Sequence, residues 1–173
     1  MPHLTLLLQH GILYGVVLSV LMVLSFVGAA YLNPEIWLPD YPLDIRERFG
    51  PMSERAKRQR RLVGIPVFLL LGGVLVFSSV RLAQIGAESV FVSVFVGTFV
   101  VLLVFNAVDL LILDWLVFVT LRPRIVVLPG TEGAEGYDDY GFHFRAFLRG
   151  LVGSLIGSLV IAGMAQAIVA IVP

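Results

Sequence analysis

Ser89-Val-Phe-Val-Ser-Val-Phe-Val-Gly-Thr-Phe-Val-Val-Leu-Leu-Val-Phe-Asn106-Ala-Val-Asp109-Leu-Leu-Ile-Leu-Asp114-Trp-Leu-Val-Phe-Val-Thr120 decides the fold of this chain. Its only charged side chains are Asp109 and Asp114. A membrane-spanning helix needs ~20 apolar residues, at ~1.5 Å each, to cross ~30 Å of hydrocarbon. This run is longer than that. It must tilt, place its last turns among the headgroups, or break near Asn106 to Asp109.

Three further apolar runs surround it, at about Leu4 to Leu32, Leu62 to Leu82 and Ala146 to Val172. The first is too long for a signal-peptide core and has no basic region before it, so it reads as a retained span. Asn33-Pro34 ends it, because a residue before proline is pushed out of the α region. The chain is 58% hydrophobic and 14% charged, against about 25% charged in soluble domains. Lipid is the solvent that fits. A net charge of zero gives no basic excess to hold nucleic acid. The absence of cysteine excludes disulfides, iron–sulfur ligation and thiol catalysis.

The expected fold is all-α: residues 1–173 as one transmembrane domain, a bundle of four helices in the cell (inner or plasma) membrane. Connections 33–61 and 121–145 join them. Seven of the twelve Lys and Arg lie between Arg46 and Arg61, and Arg122, Arg124, Arg145 and Arg149 flank the later connection. Only Arg81 lies by the connection 83–88. The positive-inside rule puts both large connections in the cytoplasm and both termini outside. In the first connection, Asp44 to Phe49 predicts a helical turn and Ser53 a cap before Glu54-Arg-Ala-Lys-Arg-Gln-Arg-Arg61. Gly11, Gly15 and Ser19, Gly72-Gly73, and Gly153 with Gly157 mark faces for close helix contact, within the chain, in a homo-oligomer or with a membrane partner.

Chemistry concentrates in the last third. A carboxylate in hydrocarbon costs roughly 2.5–3.5 kcal/mol, so Asp109 and Asp114 are expected to face the bundle interior or water. Asn106 and Asp109 share a helical face and form an intramembrane polar pair suited to an ion or proton. Asp114, five residues beyond Asp109, turns about 140° away on a regular α-helix. The two acids could still converge on one wide aqueous vestibule; the competing expectation is a salt bridge from Asp114 to Arg149 or Arg145. The loop Pro129-Gly-Thr-Glu-Gly-Ala-Glu-Gly-Tyr-Asp-Asp-Tyr-Gly-Phe-His-Phe-Arg145 is rich in glycine and acid. Freed backbone N–H groups with Arg122, Arg124, Arg145 and Arg149 suit a lipid phosphate. Glu132, Glu135, Asp138, Asp139 and His143 suit a divalent cation instead, though nothing in the sequence requires a cofactor. Asp114, His143, Asp138 and Asp139 are the catalytic candidates. Ile125 to Leu128 reads as a short strand or an interfacial segment. Gln9, His10 and Gln166 suggest a polar cluster between the first and last helices.

Two stretches carry a resemblance. Tyr41-Pro-Leu-Asp-Ile-Arg-Glu-Arg-Phe-Gly-Pro-Met-Ser53, together with Val127 to Gly136 and Tyr140-Gly-Phe-His-Phe144, resembles a group of small prokaryotic four-helix integral membrane proteins with no known activity. The resemblance implies a recurring loop design and no catalytic residues. The sequence is read first as a non-enzymatic accessory or assembly component. The alternatives are an enzyme or lipid- or metal-binding protein with its site at the cytoplasmic boundary, and an ion or proton conductor through Asn106 and Asp109.

Overall fold

The computed structural model describes residues 2–85 and 89–171. The expected tight connection at 83–88 and the end of the last helix at Val172 lie partly outside them. Five α-helices appear: α1 (Pro2–Leu32), α2 (Leu43–Phe49), α3 (Glu54–Ile85), α4 (Val90–Val108) and α5 (Tyr140–Ile171). No strand occurs among the described residues, and Arg124–Val126, where a strand was one expectation, is a 3-10 turn. Four helices are long and apolar enough to cross a membrane, over Leu4–Leu32, Glu54–Gln84, Val90–Leu121 and Tyr140–Ile171. Their outward faces carry side chains such as Phe68, 77% exposed, and Leu69, 66% exposed. Soluble proteins rarely leave large contiguous patches of this kind bare, and lipid solvates them. The chain is a multi-pass membrane protein.

Two helices begin earlier than their apolar runs, because side chains cap them. Ser53 Oγ accepts from Ala56 N at 3.2 Å, and Ser53 also donates to Glu35. The basic segment Arg55–Arg61 is therefore the first two turns of α3. Asp139 Oδ1 accepts from Phe142 N at 2.8 Å and starts α5 at Tyr140, six residues before Ala146. Capping oxygens satisfy N–H groups that have no partner within a helix.

Helix α4 is central and packs on α1, α3 and α5. The expected smooth face of α1 is used here. A Cβ on Gly15 would lie 2.6 Å from Val104 Cβ and 2.9 Å from the Val101 carbonyl, and Gly11 is as tight against Val100. Gly72 and Gly73 have open space in front of them, contrary to expectation, because α3 lies at the periphery with that face outward. Gly153 and Gly157 are also open. The expected cluster of Gln9, His10 and Gln166 does not form. His10 Nε2 meets Ser78 Oγ of α3 at 2.9 Å, Gln166 Oε1 accepts from Phe91 N at 3.2 Å, and Gln9 is exposed.

The overlong third run neither stops nor simply tilts. From Asp109 to Leu121 it continues as a π-helix, with i→i+5 hydrogen bonds. Arg122 N donates to Val117 O at 2.9 Å and Thr120 Oγ1 to Trp115 O at 2.7 Å, both five residues back. Each π turn takes in more residues than an α turn, which shortens the run. Such segments are rare and concentrate at functional sites. Arg122 ends it in the left-handed region, with φ +43°.

The two large connections fold onto each other at one end of the bundle, the loop end. Tyr41, Ile45, Phe118, Val126, Leu128 and Tyr137 are buried there together. Tyr41 Oη donates to Val126 O at 2.8 Å. Burial, helped by neighbouring Tyr137 and Asp40, pushes its phenol well above the ordinary range, so it stays a neutral donor. Tyr137 Oη accepts from Leu128 N at 3.0 Å and meets Thr131 Oγ1 at 2.8 Å. Asp44 Oδ2 accepts from Gly136 N at 2.8 Å, joining connections 92 positions apart.

Candidate functional site at the loop end

Beneath this cap is a cavity of about 510 Å³ bounded by all four long helices. That is within the ~300–1,000 Å³ common for small-ligand sites. Helix α1 contributes Met22, Ser25 and Phe26, and the 3-10 segment Pro34–Asp40 contributes Trp37 and Asp40. Arg60 comes from α3, Asp109, Asp114 and Phe118 from the π-helix, and Phe142, His143 and Arg149 from α5.

The π-helix replaces the separation of about 140° on a regular α-helix and brings the two acids to one cavity, the convergence that the sequence left open. With an i→i+5 ladder, a residue five positions on lies nearly over the first. Asp109 and Asp114 thus reach the same cavity instead of diverging. Asp114 pairs with neither Arg145 nor Arg149. Its Oδ1 lies 2.9 Å from His143 Nδ1. Capping at Asp139 extends α5 backwards and so brings His143 into the bundle, where it is 4% exposed. Phe118 and Phe142 hold its ring edge-on at 5.0 and 5.2 Å. His143 Nε2 and Trp37 Nε1, both on residues lining the cavity, are buried and have no hydrogen-bond partner among the described residues.

Asn106 does not pair with Asp109. Its amide donates to Leu102 O at 2.8 Å and Ser154 Oγ at 2.9 Å, and Gly150 leaves room for it. It joins α4 to α5. Beyond it, the interior is filled by the fully buried Val101, Thr98, Val94 and Leu82. The Asp109 carboxylate makes no hydrogen bond or ion pair among the described residues, while its backbone N–H donates to Phe105 O and Asn106 O.

The loop acids and arginines are not gathered as the sequence suggested. Asp138 pairs with Arg122, which also donates to Val119 O and Tyr137 O. Asp139 caps α5 and pairs with Arg145 at 3.4 Å. Glu132, Glu135 and Arg124 are exposed, outside the cavity. Among the described residues no three His, Asp or Glu stand close enough to hold a metal ion. The loop's backbone N–H groups are used internally: Thr131 N donates to Leu128 O, Ala134 N to Thr131 O and Gly136 N to Asp44. Gly130 and Gly133, with φ +80° and +72°, turn the chain. Of the four arginines, only Arg149 lines the cavity, and it makes no ion pair among the described residues.

Sequence reasoning did not find Phe26, Trp37, Asp40, Tyr41 and Arg60 as cavity residues; the docking of the first connection brings the last four there, and Phe26 meets them from α1. Arg60 donates to Ile36 O at 2.7 Å and pairs with Asp40 at 2.8 Å, and its guanidinium lies 5.9 Å from the centre of the Trp37 ring. Compared with known protein families, curated proteins and solved structures, the chain has no match. Fold and cavity together define a class, a four-span α-helical membrane bundle with a largely apolar chamber at its loop end that holds a few ionisable side chains.

Proposed function

We propose that this is a protein of the cell (inner or plasma) membrane, with its loop end in the cytoplasm, whose working part is a ligand site that exchanges protons. The observation that carries the reading is His143, held through Nδ1 by Asp114 while Nε2 stays buried without a partner. A carboxylate accepting from Nδ1–H fixes the tautomer and leaves the Nε2 lone pair as a base. Nε2 takes one proton from a bound ligand, Asp114 stabilises the imidazolium, and the proton returns as the ligand leaves. Asp109 provides a second carboxylate in the same chamber. This reading favours the alternative of a site at the cytoplasmic boundary over a purely accessory part.

The pair is tested by a double-mutant cycle. Asp114→Asn, His143→Gln and the double variant are unfolded by denaturant in detergent micelles. Residues in one hydrogen-bonded unit should show a coupling of about 1–3 kcal/mol. Additive losses would count against a working pair. Orientation rests on the basic residues of the two large connections, and the cysteine-free chain makes it testable. Gly133→Cys should react with an impermeant maleimide only after the membrane is opened, and Gln84→Cys in intact cells. The reverse pattern would refute the orientation.

A second reading is supported by Gly153 and Gly157, whose Gly-x-x-x-Gly face is open on the lateral surface of α5. That face suits a second copy of the chain or a membrane partner. Crosslinking through Gly153→Cys would detect a second copy.

A further inference from the structure

The chamber's charges are not all spent. Asp40 is paired with Arg60, and Asp114 with His143. That leaves Asp109 and Arg149, an acid and a base, lining one cavity without an ion pair to each other or to any other described residue. Asp109 is half-buried within the bundle, where an unpartnered carboxylate is costly to hold, while Arg149 is exposed at the cavity's edge. They become complementary once a ligand supplies the missing partners.

We propose that the chamber binds a phosphoammonium group, with the ammonium at Asp109 and the phosphate at Arg149. The inference rests on the ligand site proposed above. Three features support the polarity and the class. Phe26, Trp37, Tyr41, Phe118 and Phe142 line the cavity, and aromatic faces attract ammonium ions. Arg149 offers a planar fork matched to phosphate, and the buried Trp37 Nε1–H is a donor still without an acceptor. The chamber is lined both by span residues such as Asp109 and Arg149 and by Trp37, Asp40 and Tyr41 of the first connection, so it lies toward the end of the bundle where a headgroup would enter. The shared chemistry covers a phosphoethanolamine headgroup on a lipid and the same group free in solution. A simple anion fits poorly beside Asp109 and Asp114, and a simple cation leaves Arg149 unused.

The chain has two tryptophans. Trp115 packs outside the chamber against Tyr140 and Phe144, so Trp115→Phe leaves Trp37 as the sole indole reporter. The full chain with that substitution is placed in phosphatidylglycerol nanodiscs and titrated with phosphoethanolamine, ethanolamine and inorganic phosphate. Phosphoethanolamine is expected to change Trp37 fluorescence saturably and to bind tighter than either fragment. Asp109→Asn should weaken ethanolamine and phosphoethanolamine about tenfold or more while sparing phosphate, as loss of a charge-assisted bond implies. Arg149→Gln should weaken phosphate and phosphoethanolamine and spare ethanolamine. Each variant's selective retention of one fragment shows that it is folded. Competition by diacyl phosphatidylethanolamine in the disc assigns the lipid source, and its failure to compete assigns the free one. No saturable signal from phosphoethanolamine, or variants that bind it like the parent, would overturn the proposal. A coupled Asp114–His143 pair in the double-mutant cycle would still stand in that case, which separates the two failures.

Discussion

Tyr137→Ala is expected to destabilise the protein by about 3–5 kcal/mol, the range for removing a large aromatic from a packed core. Tyr137 is 1% exposed and is the largest side chain at the centre of the loop-end cap. Its ring lies 5.5 Å from Phe118 and 6.3 Å from Tyr41, centroid to centroid. Its hydroxyl satisfies the buried N–H of Leu128 and the hydroxyl of Thr131. Alanine there leaves both a void and unsatisfied polar groups. Tyr137→Phe separates the two effects. It keeps the ring and strips the partner from Leu128 N, for an expected loss of about 1–3 kcal/mol. Denaturant unfolding in micelles, followed by circular dichroism, measures both. Equal stability of the two variants would mean that the ring does not organise the cap. Because the cap forms the roof of the chamber, Tyr137→Ala should also make Trp37 more accessible to a soluble quencher.

The second large effect is expected at Gly15, where α1 crosses α4. Gly15→Leu should cost about 3 kcal/mol, the upper end of the usual range for overpacking. The reason is what stands in the way. A single Cβ already falls 2.6 Å from the branched Val104 and 2.9 Å from a backbone carbonyl. Neither is a flexible chain end that can swing aside, so the helices must separate. In lipid no hydrophobic force draws them back, since packing itself drives association. Gly72→Leu is the control, because that position faces open space. It should leave stability nearly unchanged, and a loss as large as that of Gly15→Leu would contradict the assignment of the α1–α4 seam.

Much of this arrangement was legible in the residues. Four apolar runs gave four spans, Asn33-Pro34 marked the end of the first, and Ser53 was recognisable as a cap. Gly11 and Gly15 marked the face that α4 occupies. The later boundaries were less legible for a physical reason. Hydropathy put the start of the last helix at Ala146, whereas the Asp139 cap sets where its helical hydrogen bonds begin. The loop acids looked like a cluster because they are close in sequence. In space each is claimed by a separate arginine or helix end, or is left in solvent. The largest surprise is the π-helix. Its traces were present as an overlong run with two acids five residues apart, but a regular α-helix was the natural frame, and it sent Asp114 to the wrong side. The places of Trp37 and Tyr41 in the cavity's aromatic wall could not be read at all, since they depend on how a proline-rich connection docks on a distant loop.

The most direct measurement of the central claim is where the proton sits on His143. Nitrogen-15 spectra of the imidazole, with His3 and His10 replaced by glutamine and the protein in lipid bilayers, distinguish the two neutral tautomers. The account predicts that neutral His143 carries its proton on Nδ1, donated to Asp114, and that Asp114→Asn abolishes this preference. A proton resident on Nε2, or a tautomer indifferent to Asp114→Asn, would contradict it.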